Sequence, residues 1–119
     1  MTDEMFVLVS ETDRQTVVRL NGAHPIYAAH FPGRPITPGV CLVQLLGELL
    51  QRHTGRALEL SQIVNLKFVK TLSPDTESLL TVDFNSVDIT GGSVHAKGTI
   101  SSNGQVATKF SVKFKEHSN

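Results

Sequence analysis

The sequence of 119 residues has one cysteine, one tyrosine, no tryptophan and no excess of either charge, with eleven Lys and Arg against eleven Asp and Glu. Each shortage removes a class of function. A lone cysteine cannot build an internal disulfide framework, and Met1-Thr2-Asp3-Glu4 lacks the basic and apolar regions of an export signal, so a cytoplasmic setting is expected. A neutral chain offers no global basic field to hold nucleic acid. No apolar run, that at residues 40–43 included, approaches the roughly 20 residues that span a bilayer, so no membrane association is expected. No pair of histidines has a persuasive metal-ligand spacing with a carboxylate partner, and neither a metal nor another cofactor is expected. The length suits one domain, 1–119, large enough to bury a core.

Special residues are instead concentrated in residues 30–48, HFPGRPITPGVCLVQLLGE. Residues 32–39 hold three prolines and two glycines, which fixes φ at the prolines and permits close backbone approach at the glycines. Thr37 suits a helix N-cap, Pro38 suits the first turn, and Gly39 and Val40 then present backbone N–H groups out of the helix start. Such a terminus favours a developing negative charge. His30 lies just upstream of it, and a glycine at a helix start costs about 1 kcal/mol relative to alanine, which favours close approach of a ligand or neighbour at Gly39.

The rest of the chain supplies a frame for this stretch. Residues 6–9 and 16–20 read as strands of a hairpin, with Asn21-Gly22 as a turn signal at its end, and residues 24–29 leave room for a short helical turn. From Pro38 to about Thr54 the apolar residues spread around most of a helix, and Gly55 provides a C-terminal stop. Val64, Leu66 and Phe68, then Leu80, Val82 and Phe84, then Val94, Ala96 and Ile100, then Phe110, Val112 and Phe114 alternate with polar residues, marking four strands with one buried face each. Gly91-Gly92 and Asn103-Gly104 are tight turns between them. Two strands, a helix and four antiparallel strands make an α+β order, a curled sheet closing on one long helix.

His-Phe-Pro-Gly-Arg-Pro at 30–35, Pro-Gly-Val at 38–40 and the apolar residues that follow resemble the active-site signature of the hot-dog-fold 3-hydroxyacyl-acyl-carrier-protein dehydratases of fatty-acid synthesis. The likeness extends upstream through Pro25-Ile26-Tyr27-Ala28-Ala29 and downstream through Asn65-Leu66-Lys67-Phe68 and Leu72-Ser73-Pro74-Asp75. It implies a hot-dog fold in which His30 is the base, the Gly39 N–H polarises the thioester carbonyl, and position 44 acts on the leaving hydroxyl. Phe31, Pro32, Gly33, Pro38 and Val40 are the residues expected to contact substrate. The resemblance further implies a thioester on acyl carrier protein or coenzyme A, an apolar tunnel beside the helix, and a site built across a dimer. A homodimer, a trimer of dimers or a hetero-oligomer with a paralogue would each serve.

The departure falls at position 44, which is Gln44 where the family has Glu or Asp. An amide can hold a hydroxyl but cannot give up a proton, so general acid help of about 10²- to 10⁴-fold is missing at that position. Glu48 lies four residues on, about 6 Å along the same helix face, where the family often has Gln. Gln44 and Glu48 also suit the polar edge of a subunit interface. Two other functions therefore stand beside dehydration: a hot-dog acyl thioesterase in which Glu48 activates water or attacks the acyl carbon, and a catalytically impaired acyl-binding subunit of a hetero-oligomeric dehydratase. Elsewhere, Cys41 reads as a small core residue, His24 and His95 as solvated or locally bonded, and His53 as a last-turn cation. Arg34, Lys67 and Lys70 suit an acidic carrier protein at the site's mouth, or simply a solvated surface.

Overall fold

Turn chemistry fixes the strand pairs, and the pairs fix where the helix lies. Residues 4–29, 33 and 35–117 are described, in a computed structural model of the chain. Strands β1 (Phe6–Glu11), β2 (Gln15–Leu20), β3 (Leu58–Phe68), β4 (Leu79–Thr90), β5 (Ser93–Ser102) and β6 (Gln105–Glu116) form one sheet in the order β1-β2-β4-β5-β6-β3. Every pair is antiparallel. Helices α1 (Pro25–Ala29) and α2 (Gly39–Thr54) fall between β2 and β3. The turn between β5 and β6 places Asn103 at φ 53° and Gly104 at φ 74°, the left-handed pair a two-residue hairpin requires. Asn21 follows β2 and stitches it to the chain before β1: its N–H donates to the Met5 carbonyl at 2.9 Å and its side-chain amide to that of Glu4 at 3.0 Å.

The apolar helix is buried on most sides, as its composition demands. Cys41, Leu42, Val43, Leu45, Leu46, Gly47, Leu49 and Leu50 are all buried. Cys41, Leu42, Leu45, Leu46, Leu49 and Leu50 belong to one cluster with inward residues of the sheet, among them Val18, Leu80, Val82, Val94, Ala96, Ile100 and Val112, all seven fully buried. Each leucine removed from water contributes roughly 1.5–3 kcal/mol, so Leu45, Leu46, Leu49 and Leu50 anchor the helix to the sheet. Gly47 lets α2 come against β6, since a Cβ there would lie 2.9 Å from Phe114 Cε1. The other end of the helix is closed by Gly55, whose left-handed φ of 71° lets its N–H return to the Gln51 carbonyl at 2.9 Å.

One expectation fails in an instructive way. The alternation of Val64, Leu66 and Phe68 promised a buried face, but β3 starts earlier, at Leu58, and lies almost wholly exposed. Leu60, Ile63, Val64 and Phe68 are between 44% and 52% exposed. As the outer neighbour of β6, β3 has an unpaired edge, and its register slips twice, between Leu60 and Gln62 and between Ile63 and Asn65. The second bulge takes Val64 out of the alternation, while Leu66, beyond it, packs partly buried against the core. On β4, β5 and β6 the same alternation does bury Leu80, Val82, Phe84, Val94, Ala96, Ile100, Phe110, Val112 and Phe114.

Candidate functional site

The start of α2 is set by the residues before it. Pro38 is extended, with φ −63° and ψ 141°, and stands at the N-cap with no side-chain hydrogen bond to the helix. Its carbonyl accepts from the N–H of Cys41 at 3.0 Å and of Leu42 at 3.4 Å. Thr37 does not cap the helix, which corrects the sequence expectation. Its hydroxyl lies 2.9 Å from the Tyr27 hydroxyl in a buried pair, and its N–H donates to the Leu72 carbonyl at 2.7 Å. A hydroxyl held by a phenol ten residues upstream is not available to the first turn. Gly39 therefore opens the helix without a side-chain cap, at the positive end of the helix dipole.

A ring covers that opening from the side. A Cβ on Gly39 would lie 2.5 Å from Phe68 Cζ, so only glycine accommodates the Phe68 ring in this position. Phe68 is 52% exposed, and the close packing joins the end of β3 to the start of α2. Beside the pair is a cavity of about 360 Å³ with a largely apolar lining that includes Ile36, Pro38, Val40, Leu42, Phe68 and Leu72, with Lys70 at its wall. A second cavity of about 570 Å³ runs between α2 and β3, lined by Val40, Gln44, Glu48, Gln51, Leu60 and Phe114 among others. Val40 lines both and is 65% exposed.

The helical spacing thus brings Gln44 and Glu48 to one groove, with Gln44 exposed and Glu48 half-buried. Gln51 continues the stripe but is otherwise engaged, its side-chain carbonyl accepting from the Leu58 N–H at 2.8 Å and so fastening the beginning of β3. Pro38, Gly39 and Val40 come together at the apolar cavity, whereas Gly33 is exposed, at φ 82°, and lines neither space. His30, Phe31, Pro32 and Arg34 lie outside the described residues. Phe68 and Leu60 are site residues that the sequence did not single out, because nothing local marks a strand residue that meets a helix some 20 to 30 positions away.

The remaining titratable groups divide cleanly. Burial pushes the Cys41 thiol up, away from the thiolate a nucleophile needs. Burial likewise pushes the Tyr27 phenol up, with the hydrogen bond from Thr37 acting in the opposite direction. His24 Nδ1 accepts from the Ile26 N–H at 3.1 Å, and His95 Nε2 meets Ser111 Oγ at 2.8 Å on the sheet, so both are locally bonded. Lys70 is shared between Gln105 at 3.4 Å and Glu77 at 3.8 Å. Lys67 sits directly opposite Lys109 on β6.

Comparison with known proteins identifies the family and the fold. A family model described as ApeI dehydratase matches residues 8–109. The 3-hydroxyacyl-(acyl-carrier-protein) dehydratase FabZ of Clostridium acetobutylicum is 28% identical over 96 residues, 75% of this chain and 67% of the relative. The chain thus spans about two thirds of the length of the curated relatives it matches. Among solved structures, the dehydratase heterocomplex ApeI:P from Xenorhabdus doucetiae superposes with a TM-score of 0.63 at 18% identity, over 92% of this chain and 94% of that one. A hypothetical thioesterase from Streptococcus pneumoniae, solved with coenzyme A, gives 0.66 at 13% identity, over 96% and 87%. The fold is the hot-dog fold.

Proposed function

The chain belongs to the ApeI-like dehydratase family, and on that premise we propose that it dehydrates 3-hydroxyacyl thioesters with His30 as base and the Gly39 N–H as oxyanion donor. The observation that carries the reading is the joint placement of an uncapped helix start at Gly39, an apolar cavity beside it, and Gln44 and Glu48 along the adjoining groove. Dehydration takes a proton from the α-carbon, gathers negative charge on the thioester oxygen, and expels the β-hydroxyl as water. An imidazole titrates near working pH and suits the first step. A fixed N–H aimed at the developing charge suits the second and is worth about 3 kcal/mol. For the third, Gln44 holds the hydroxyl while Glu48, one turn on in the same groove, delivers the proton. The apolar cavity of about 360 Å³ takes the acyl chain, and the carrier is acyl carrier protein or coenzyme A.

A second subunit completes the site in this reading. The open edge of β3 with half-exposed Leu60, Ile63, Val64 and Phe68 is a surface that water does not favour, and an antiparallel copy of the same strand satisfies both its hydrogen bonds and its apolar area. A two-fold centred at Ile63 sets Glu59 against Lys67 and Leu60 against Leu66, so the strand is complementary to itself. A paralogue with a similar edge serves equally, and the two assemblies are told apart by what co-purifies.

The test is hydration of a 2-enoyl thioester, and its reverse, by the purified chain beside His30→Ala. Turnover that vanishes in the variant is expected, and turnover that survives removes His30 from the mechanism. The position of Glu48 in a groove with an amide at 44 also favours a thioesterase reading. Release of free thiol from the same substrate, without hydration, would select it.

A further inference from the structure

On the thioester reading above, we propose that the outer face of β3, β5 and β6 is a docking surface for an acidic acyl carrier protein, which makes the carrier a protein and not free coenzyme A. A chain with no net charge has sorted its charges in space. Phe110, Val112 and Phe114 are buried, so Lys109, Ser111, Lys113 and Lys115 of β6 point outward. Strand pairing sets Lys67 opposite Lys109, Lys97 opposite Ser111, His95 opposite Lys113 and Glu59 opposite Lys115. Five of the six lysines of the chain thus share one face of three strands with one of its eleven carboxylates. Like charges directly across a strand pair are destabilising, yet Lys67 faces Lys109, and Lys97 is diagonal to both Lys109 and Lys113. Lysine on an edge strand deters aggregation, which accounts for Lys67 but not for the lysines of the central strands β5 and β6.

These charges are also uncompensated. Among the described residues Lys67, Lys97, Lys109 and Lys113 form no ion pair, whereas Lys115 holds Glu59 at 3.4 Å and Lys70, beyond β3, holds Glu77 at 3.8 Å. The two-fold proposed above brings a second Glu59 to Lys67 and still leaves Lys97, Lys109 and Lys113 unanswered. On the far side β4 sets Asp83 and Asp88 opposite Thr99 and His95, and the basic field ends there. It runs about 20 Å along β6 and about 10 Å across the strands, an area that suits an acidic protein surface better than the clustered phosphates of one coenzyme. No aromatic side chain stands among the outward residues of these strands to stack on a nucleic-acid base. The place fits delivery of a substrate. Lys67 precedes Phe68, whose ring turns inward to Gly39 and lines the cavity assigned to the acyl chain, so a carrier held at Lys67 and Lys109 stands beside its mouth.

The experiment compares wild type with Lys97→Glu/Lys109→Glu, both exposed positions, and with Arg14→Glu/Arg19→Glu, which changes net charge equally at the other side of the sheet. Each is assayed on one 2-enoyl group carried by an acidic acyl carrier protein, by coenzyme A and by N-acetylcysteamine, and each is titrated calorimetrically with the carrier protein. The lysine variant should raise KM for the carrier-borne substrate about tenfold at unchanged kcat and weaken carrier binding to match, as lost charge complementarity does. Its rates on the other two thioesters and its melting temperature should stay near wild type, and the arginine variant should match wild type throughout. The gap should narrow as salt rises from about 50 to about 300 mM. Absent carrier binding to wild type, undiminished binding to the lysine variant, or an equal loss in the arginine variant overturns the surface. A loss shared with the coenzyme A thioester but not with N-acetylcysteamine assigns the lysines to nucleotide phosphates and overturns it too, as does binding of single-stranded DNA or phosphatidylglycerol vesicles in place of the carrier. Carrier binding that depends on these lysines without turnover of any thioester overturns the reading beneath and leaves the surface standing.

Discussion

The two ends of α2 are built on opposite plans. At the C-terminal end several devices finish the helix together. Gly55 takes the left-handed conformation and returns its N–H to Gln51, the Thr54 hydroxyl donates to the Leu50 carbonyl at 2.7 Å, Gln51 holds Leu58, and Arg52 reaches Glu11 at 3.1 Å. At the N-terminal end Pro38 brings no side-chain cap, Thr37 turns away, and the first residue is a glycine with an aromatic ring packed against it. One end is closed for stability. The other is left open, at the cost of a cap worth about 1 kcal/mol, where charge is expected to develop.

That contrast can be broken from either side. The largest effect is expected at the open end, where Gly39→Ala forces the half-exposed Phe68 ring to move into the adjoining cavity. Enoyl hydration should fall about 100-fold as the ring fills the space assigned to the acyl chain and keeps the thioester from the Gly39 N–H, while the melting temperature changes little because alanine also favours the helix. At the closed end Gly55→Ala places a Cβ at φ 71° and should lower unfolding free energy in urea by about 1 to 2 kcal/mol, with kcat unchanged. Activity lost at Gly55 and stability lost at Gly39 would reverse the assignment.

The smallest effect tests what stands behind Thr37. Glu77 accepts from the Ser73 N–H at 3.0 Å, bracing the turn just after Leu72, and the Thr76 hydroxyl beside it holds its carboxyl below the usual carboxylate range. A depressed carboxylate contributes stability above its ordinary pKa and loses it as pH falls through the lowered value. The difference in stability between wild type and Glu77→Gln should therefore be about 0.5 kcal/mol at neutral pH and shrink in acid, measured by melting across pH 3–7.

What the sequence made legible follows from how local the cause was. Apolar residues spaced along α2 predicted a wrapped helix, Gly55 its end, and Asn103-Gly104 a hairpin turn, because each depends on neighbours within one turn of chain. Gln44 and Glu48 were placed on one stripe by the same arithmetic, and the structure puts both in one groove. Thr37 does not cap the helix because its hydroxyl answers to Tyr27, and Phe68 reads in the sequence as a strand residue with no link to the site because its partner Gly39 belongs to another element. For β3 the alternation was present, but burial depends on what lies across the strand, and neither the bulges nor the edge position is written in its own residues.

The chain order of the sheet has a consequence for how the protein is made. α2 ends at Thr54, yet β4, β5 and β6, whose inward residues share its core, are not complete until Glu116, and β3 pairs with β6 alone among the described residues. At ordinary rates of synthesis the most apolar segment leaves the ribosome several seconds before its covering exists. The nascent chain must shield that helix by other means until the last strand arrives.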